Sequence, residues 1–179
     1  MTCWKTINLS KDYGFHRIIL ISLISMFIAF ILFYLPLNLM YSSVELREDG
    51  AIYFLLALLL IYPIHATLHV LPFWISGKKL TVTFKWMYGI IPIVTTRSKH
   101  SLSKPFIICV MGTPFLFITA LMLGGCVVFP GFIHYFSIIA AINFGLCVPD
   151  FIYLGQFVKA PRSCTVEEIE DGYDILIHN

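Results

Sequence analysis

Four long apolar stretches divide the chain, at Ile18–Tyr41, Ala51–Ile75, Pro105–Phe129 and Phe132–Phe157. Each approaches or exceeds about 20 residues, which at about 1.5 Å rise per residue is enough to cross a hydrocarbon layer as a helix. The pattern predicts an all-α integral membrane protein with four transmembrane helices. The segment between the second and third stretches, residues 76–104, is different. In Leu80-Thr81-Val82-Thr83-Phe84-Lys85-Trp86 apolar residues alternate with Thr and Lys, the period of a strand. A turn-prone Tyr88-Gly89 follows, then Ile91-Pro92-Ile93-Val94-Thr95-Thr96-Arg97. This predicts a β-hairpin whose second strand, carrying Pro92, is an edge. The C-terminal tail carries a turn signal at Asp171-Gly172 before a short strand-like run, Ile175-Leu176-Ile177. Its acidity is expected to complement the basic loop. The whole chain reads as a single membrane domain, 1–179, with tails at 1–17 and 158–179.

Composition supports this. The chain of 179 residues is 59% hydrophobic and 12% charged, against about 25% charged in soluble domains. The first stretch follows a basic flank (Lys5, Lys11, Arg17), but it is far longer than the apolar core of a secretory signal, and no small-x-small cleavage site follows it. It is expected to stay as the first span. Basic residues set the orientation. The long loop has Lys78, Lys79, Lys85, Arg97, Lys99 and Lys104 with no acid, whereas the first loop has Arg47 against Glu45, Glu48 and Asp49. Both tails and the long loop are therefore expected in the cytoplasm. The net charge of +2 averages these segments and gives no reason to expect nucleic acid as a partner; the expected partner is the lipid bilayer. Cys3 and Cys164 fall in the tails, and Cys109, Cys126 and Cys147 in spans, so no disulfide framework is expected.

The candidate chemistry lies in one misplaced acid. Nine of the ten acidic residues lie in polar ends or loops; Asp150 alone sits inside an apolar run. A charge there costs about 2.5–3.5 kcal/mol on insertion scales, so it calls for a partner or a task. The second span offers His65 and His69, four residues apart and on one face of a helix. Two imidazoles and a carboxylate form a three-ligand set of the zinc type. His69 lies six residues before Ile75 and Asp150 seven before Phe157, which puts both roughly 9–10 Å from the same end of their spans. Asn143, Cys147 and Asp150 share a helical face. Asn143 is a candidate to orient a ligand; Cys147 is a reserve ligand or, more simply, a small packing residue. Pro63 and Pro149 each precede a candidate ligand and can open a helix around it, or act as ordinary kinks. Gly112, Thr113, Pro114, Gly124 and Gly125 in the third span permit close helix approach. Bis-histidine haem is disfavoured, because two residues on adjacent turns cannot bind opposite faces of the ring. His16, His100 and His134 read as interfacial. A His-Asp hydrogen-bond network without metal stays open as the alternative.

The order of spans, His-x-x-x-His late in the second, the hairpin-like basic loop, and Asn143…Pro149-Asp150 in the fourth together resemble the putative zincin peptidase family of small bacterial membrane proteins, similar in layout to site-2 intramembrane metalloproteases. The resemblance implies His65, His69 and Asp150 as zinc ligands, a bacterial cell membrane, and a membrane-associated peptide as substrate, cleaved near the cytoplasmic face. The chain departs from the family at one position. The motif His-Glu-x-x-His reads here His65-Ala66-Thr67-Leu68-His69, so Ala66 stands where the general-base Glu belongs. No other Glu occurs within a span, and losing a general base costs on the order of 10²–10⁴-fold. The expected function is a degenerate protease that binds metal and a membrane peptide. The alternatives are a weakly active intramembrane metallopeptidase, or a small transporter or structural membrane protein with a His-Asp polar cluster.

Overall fold

The computed structural model describes residues 2–78, 81–87, 91–97, 101–169 and 172–177. Seven helices dominate among them: α1 (Leu9–Asp12), α2 (Phe15–Met40), α3 (Ala51–Leu68), α4 (Leu71–Ser76), α5 (Lys104–Val128), α6 (Ile133–Leu146) and α7 (Val148–Lys159). The strands are β1 (Thr2–Ile7), β2 (Thr81–Met87), β3 (Ile91–Arg97), β4 (Leu102–Ser103), β5 (Cys164–Ile169) and β6 (Gly172–Ile177). Contacts group these into two units. One comprises Met1–Phe15, Ala66–Thr113 and Pro149–Asn179; the other comprises His16–His65 and Pro114–Val148.

The second unit holds most of the long apolar helices. On α2, Phe27 is 66% exposed and Leu32 is 63% exposed, while one stripe that includes Ala29 is sheltered. A helix on a soluble protein would turn polar residues outward opposite such a stripe; a broad apolar outer face suits lipid. Phe15–Met40, Ala51–Ser76 and Lys104–Val128 are each long and apolar enough to cross a membrane. The expected fourth span is not one straight helix. Pro130–Leu146 and Val148–Lys159 meet at a bend of 49°, so among the described residues three helices are long and apolar enough to cross, or four if this bent pair counts as one. Pro149 explains the bend, since it has no N–H to donate to Gly145 and its ring crowds that carbonyl. The Cys147 amide still reaches the Asn143 carbonyl at 2.9 Å, closing the last turn of α6. Earlier on α6, Gly145 lies against α2: a Cβ there would stand 3.1 Å from both Met26 Cβ and the Ser22 carbonyl. Phe33 and Phe144 meet edge to face beside this contact.

Between α2 and α3, Arg47 organises the connection. Its amide bonds the Gly131 carbonyl at 2.9 Å, its guanidinium meets Asp49 at 2.6 Å, and it lies over the Phe132 ring. Arg47 holds the Asp49 carboxyl below the usual carboxylate range.

The first unit is built on an antiparallel sheet in the order β1-β6-β5-β4. The C-terminal strand expected from Ile175-Leu176-Ile177 is β6, and one of its neighbours comes from the other end of the chain. β1, from the N-terminal tail, pairs with it from Thr2↔Ile177 to Ile7↔Tyr173. β5 joins its other side, and β4, the last residues of the long loop, extends the sheet through Leu102↔Val166. The acidic tail thus meets that loop by backbone pairing with β4. Gly172 is required where β6 begins, because a Cβ would collide with the Ile7 carbonyl. Ile7, Val166, Ile175 and Phe157 form the buried centre of this unit. Tyr173 packs edge-on against Tyr153 and Phe157, and burial pushes its phenol upward.

The hairpin expected in the long loop is present as β2 and β3, paired antiparallel from Thr81↔Arg97 to Met87↔Ile91. Its Tyr88-Gly89 turn lies outside the described residues. Lys104, at the start of α5, donates to the Val158 and Ala160 carbonyls at 3.0 and 2.7 Å. A cation thereby caps the C-terminal end of α7, where helix carbonyls lack amide partners.

Candidate metal centre

His65 lies in the last full turn of α3, and His69 follows in the two-residue gap before α4. The helix stops there because Pro72 cannot donate to Leu68 and restricts the residue before it. The Val70 amide instead closes a tighter turn on Thr67 at 3.0 Å, and the Trp74 amide resumes the helical pattern on Val70. His69 therefore sits at a break in the helical hydrogen bonding, inside the apolar stretch Ala51–Ser76. Asp150 occupies the first turn of α7. The bend at Cys147 creates that helix start, and the exposed amides and dipole of a helix N-terminus favour a carboxylate. The break gives a physical reason for an acid inside an apolar run.

His69 Nε2 lies 3.4 Å from Asp150 Oδ2, with side-chain exposures of 18% and 13%. His69 Nδ1 is 3.0 Å from the Val110 carbonyl. A carbonyl only accepts, so Nδ1 carries a proton, and Nε2 is the nitrogen turned toward Asp150. His65 is buried, and its Nδ1 is 3.1 Å from Asn143 Oδ1. The amide orientation follows from its other partners. Asn143 Nδ2 is 3.4 Å from the Pro114 carbonyl, which can only accept, and 3.3 Å from Thr119 Oγ1. The amide nitrogen therefore faces Pro114, the oxygen faces His65, and His65 Nδ1 must donate. Both imidazoles donate outward through Nδ1, the outer hydrogen bond that ligating histidines typically make.

One ligand atom from each of His65, His69 and Asp150 lies within 4.8 Å of the others. Two imidazoles and one carboxylate are a donor set that would suit a zinc ion. Cys147 Sγ lies 3.9 Å from His65 Nδ1 and from Asn143 Oδ1, on the side of the imidazole that faces Asn143. It packs behind the ring, outside the three-residue set. Asn143 is fully buried and orients His65. Among the histidines expected at interfaces, His16 is exposed near the start of α2, and His134 stacks against Tyr135 at the start of α6. His100 lies outside the described residues. The Val110 carbonyl and Thr119 are participants that the residue pattern does not name.

The family described as "putative zincin peptidase" matches residues 58–165, more than half of the chain and a region that contains all three cluster residues. The chain belongs to the putative zincin peptidase family. No curated protein and no solved structure matches it. In this zincin the first histidine is followed by Ala66, which carries no group able to take a proton. Thr67, beside it, is exposed. The His-His-Asp cluster could hold a metal ion, and the side chain at position 66 offers no proton acceptor.

Proposed function

We propose that this protein is a degenerate intramembrane zincin that holds one zinc ion through His65, His69 and Asp150 and binds a membrane peptide without turning it over. The observation that carries the reading is the pairing of a converged ligand set with alanine at position 66. Zinc, when bound, supplies Lewis acidity toward water or a peptide carbonyl. The chain's own residues do the rest. His65 and His69 donate their Nδ1 protons outward, to Asn143 and to the Val110 carbonyl, and so aim Nε2 inward. Asp150 supplies negative charge at the start of α7. No residue at position 66 shuttles a proton to a leaving amine, and that missing step is what separates binding from cleavage. In this reading the bent pair crosses as a fourth span, both tails and the long loop face the cytoplasm, and the peptide reaches the cluster from the bilayer.

The test is a gain of function. Zinc-loaded wild type should leave a model transmembrane peptide intact. Ala66→Glu should cleave it, with a gain on the order of 10²–10⁴-fold over wild type, and Ala66→Gln should not. Rapid cleavage by wild type would contradict the pseudoprotease reading and favour an active peptidase with another base. A second reading, a polar lock, is favoured by the direct His69–Asp150 contact, which already pairs the acid. In that case the same substitutions would leave zinc content at zero and alter only stability.

A further inference from the structure

Helix α5 carries a proline in its interior, Pro114. Proline has no N–H, so the carbonyl four residues earlier, that of Val110, receives no helical hydrogen bond from it, and the ring pushes that carbonyl off the helix axis. A buried backbone carbonyl needs a donor from somewhere. Val110 is buried, and its carbonyl accepts from His69 Nδ1 at 3.0 Å. The atom that sets the His69 tautomer is thus the atom that Pro114 releases from the helix. Pro114 also takes part in the His65 arrangement, but through its own carbonyl, which accepts from Asn143 Nδ2. Any residue at position 114 would keep that carbonyl. Only proline removes the donor that would otherwise compete for Val110.

We propose that Pro114 is a positioning residue for His69: by withholding an amide from Val110 it turns that carbonyl into the hydrogen-bond acceptor that fixes Nε2 as the metal-binding nitrogen. The inference rests on the zinc-site reading above for its consequence, but the tautomer itself is a property of the metal-free chain. An N–H at position 114 would draw the Val110 carbonyl back along the helix and loosen its hold on His69. Losing such an outer partner typically lowers metal affinity by about 10–100-fold. The effect should be selective. His65, held by Asn143, keeps its tautomer because the carbonyl of residue 114 is still there.

The experiment uses full-length, zinc-free protein labelled with ¹⁵N-histidine in detergent at mildly alkaline pH, with the His65 and His69 signals identified by their loss in His65→Gln and His69→Gln. In wild type both rings should carry the proton on Nδ1. In Pro114→Ala, His69 should lose that single tautomer while His65 retains it, and zinc affinity measured by chelator competition should fall about 10–100-fold. Pro36→Ala, which restores an amide to a different helix, should leave both readings unchanged. Three results would overturn the proposal: an Nε2–H tautomer at His69 in wild type, an unaltered His69 and zinc affinity in Pro114→Ala, or an equal affinity loss in Pro36→Ala. If Pro114→Ala fails to fold, the wild-type spectrum still decides. Wild type that shows both Nδ1 tautomers yet takes up no zinc would support the positioning role and contradict the zinc site instead.

Discussion

His65 and His69 are four residues apart, yet their surroundings differ in kind. His65 is buried among side chains, with Asn143, Cys147 and Thr119 forming a network behind it. His69 stands at the end of α3, partly exposed, and leans on a backbone carbonyl and an acid. The two solutions give the same chemical result, an imidazole with Nδ1 donating and Nε2 available. They fail in different ways. A side-chain network can be removed by one substitution, and removal leaves buried polar groups to be satisfied. A backbone acceptor cannot be deleted, only redirected by changing how the helix around it bends.

Breaking this comparison from its largest effect downward begins with the acid that faces His69. Asp150→Asn removes the one negative charge of the ligand set. Zinc affinity should drop by more than the about 10–100-fold that outer partners cost, and chelator competition would register it. Next comes Asn143→Ala, which acts on the His65 side alone. We expect about 10–100-fold weaker zinc binding, together with about 1–3 kcal/mol of lost stability from the buried partners it abandons. Asn143→Asp should restore part of the affinity, since its carboxylate still accepts from His65. The smallest effect on the centre should come from Gly145→Val, two residues from Asn143. Its side chain would press on Met26 and the Ser22 carbonyl, at about 1–3 kcal/mol for overpacking. Thermal unfolding should register the loss while zinc affinity stays at the wild-type value. A comparable fall in affinity would mean that the packing of α6 against α2, and not the Asn143 hydrogen bonds, holds His65 in place.

The sequence made legible whatever is written in side chains. Uninterrupted apolar runs mark α2, α3 and α5, and strict alternation marks the β2–β3 pair. An acid among aliphatic residues singles out Asp150, and a four-residue spacing joins His65 to His69. The parts that escaped reading depend on missing backbone donors or on remote pairing. Pro149 bends the last apolar stretch by 49°, and that bend is what gives Asp150 a helix N-terminus, but the stretch itself reads as one run. Pro72 ends α3 just before His69 by the same means. The β1 strand consists of Thr2-Cys3-Trp4-Lys5-Thr6-Ile7, with a register shift between Cys3 and Lys5. Its partner lies at the other end of the chain, beyond the reach of any local pattern. The Val110 carbonyl has no letter at all; only Pro114 hints at it.

In the proposed reading His65, His69 and Asp150 hold zinc although Ala66 offers no general base. Metal content by mass spectrometry tests it most directly, on detergent-purified wild type beside His65→Ala/His69→Ala, each supplied with zinc and then washed. The account expects near one zinc per chain in wild type and none in the double variant. No zinc in either, or equal zinc in both, would contradict it.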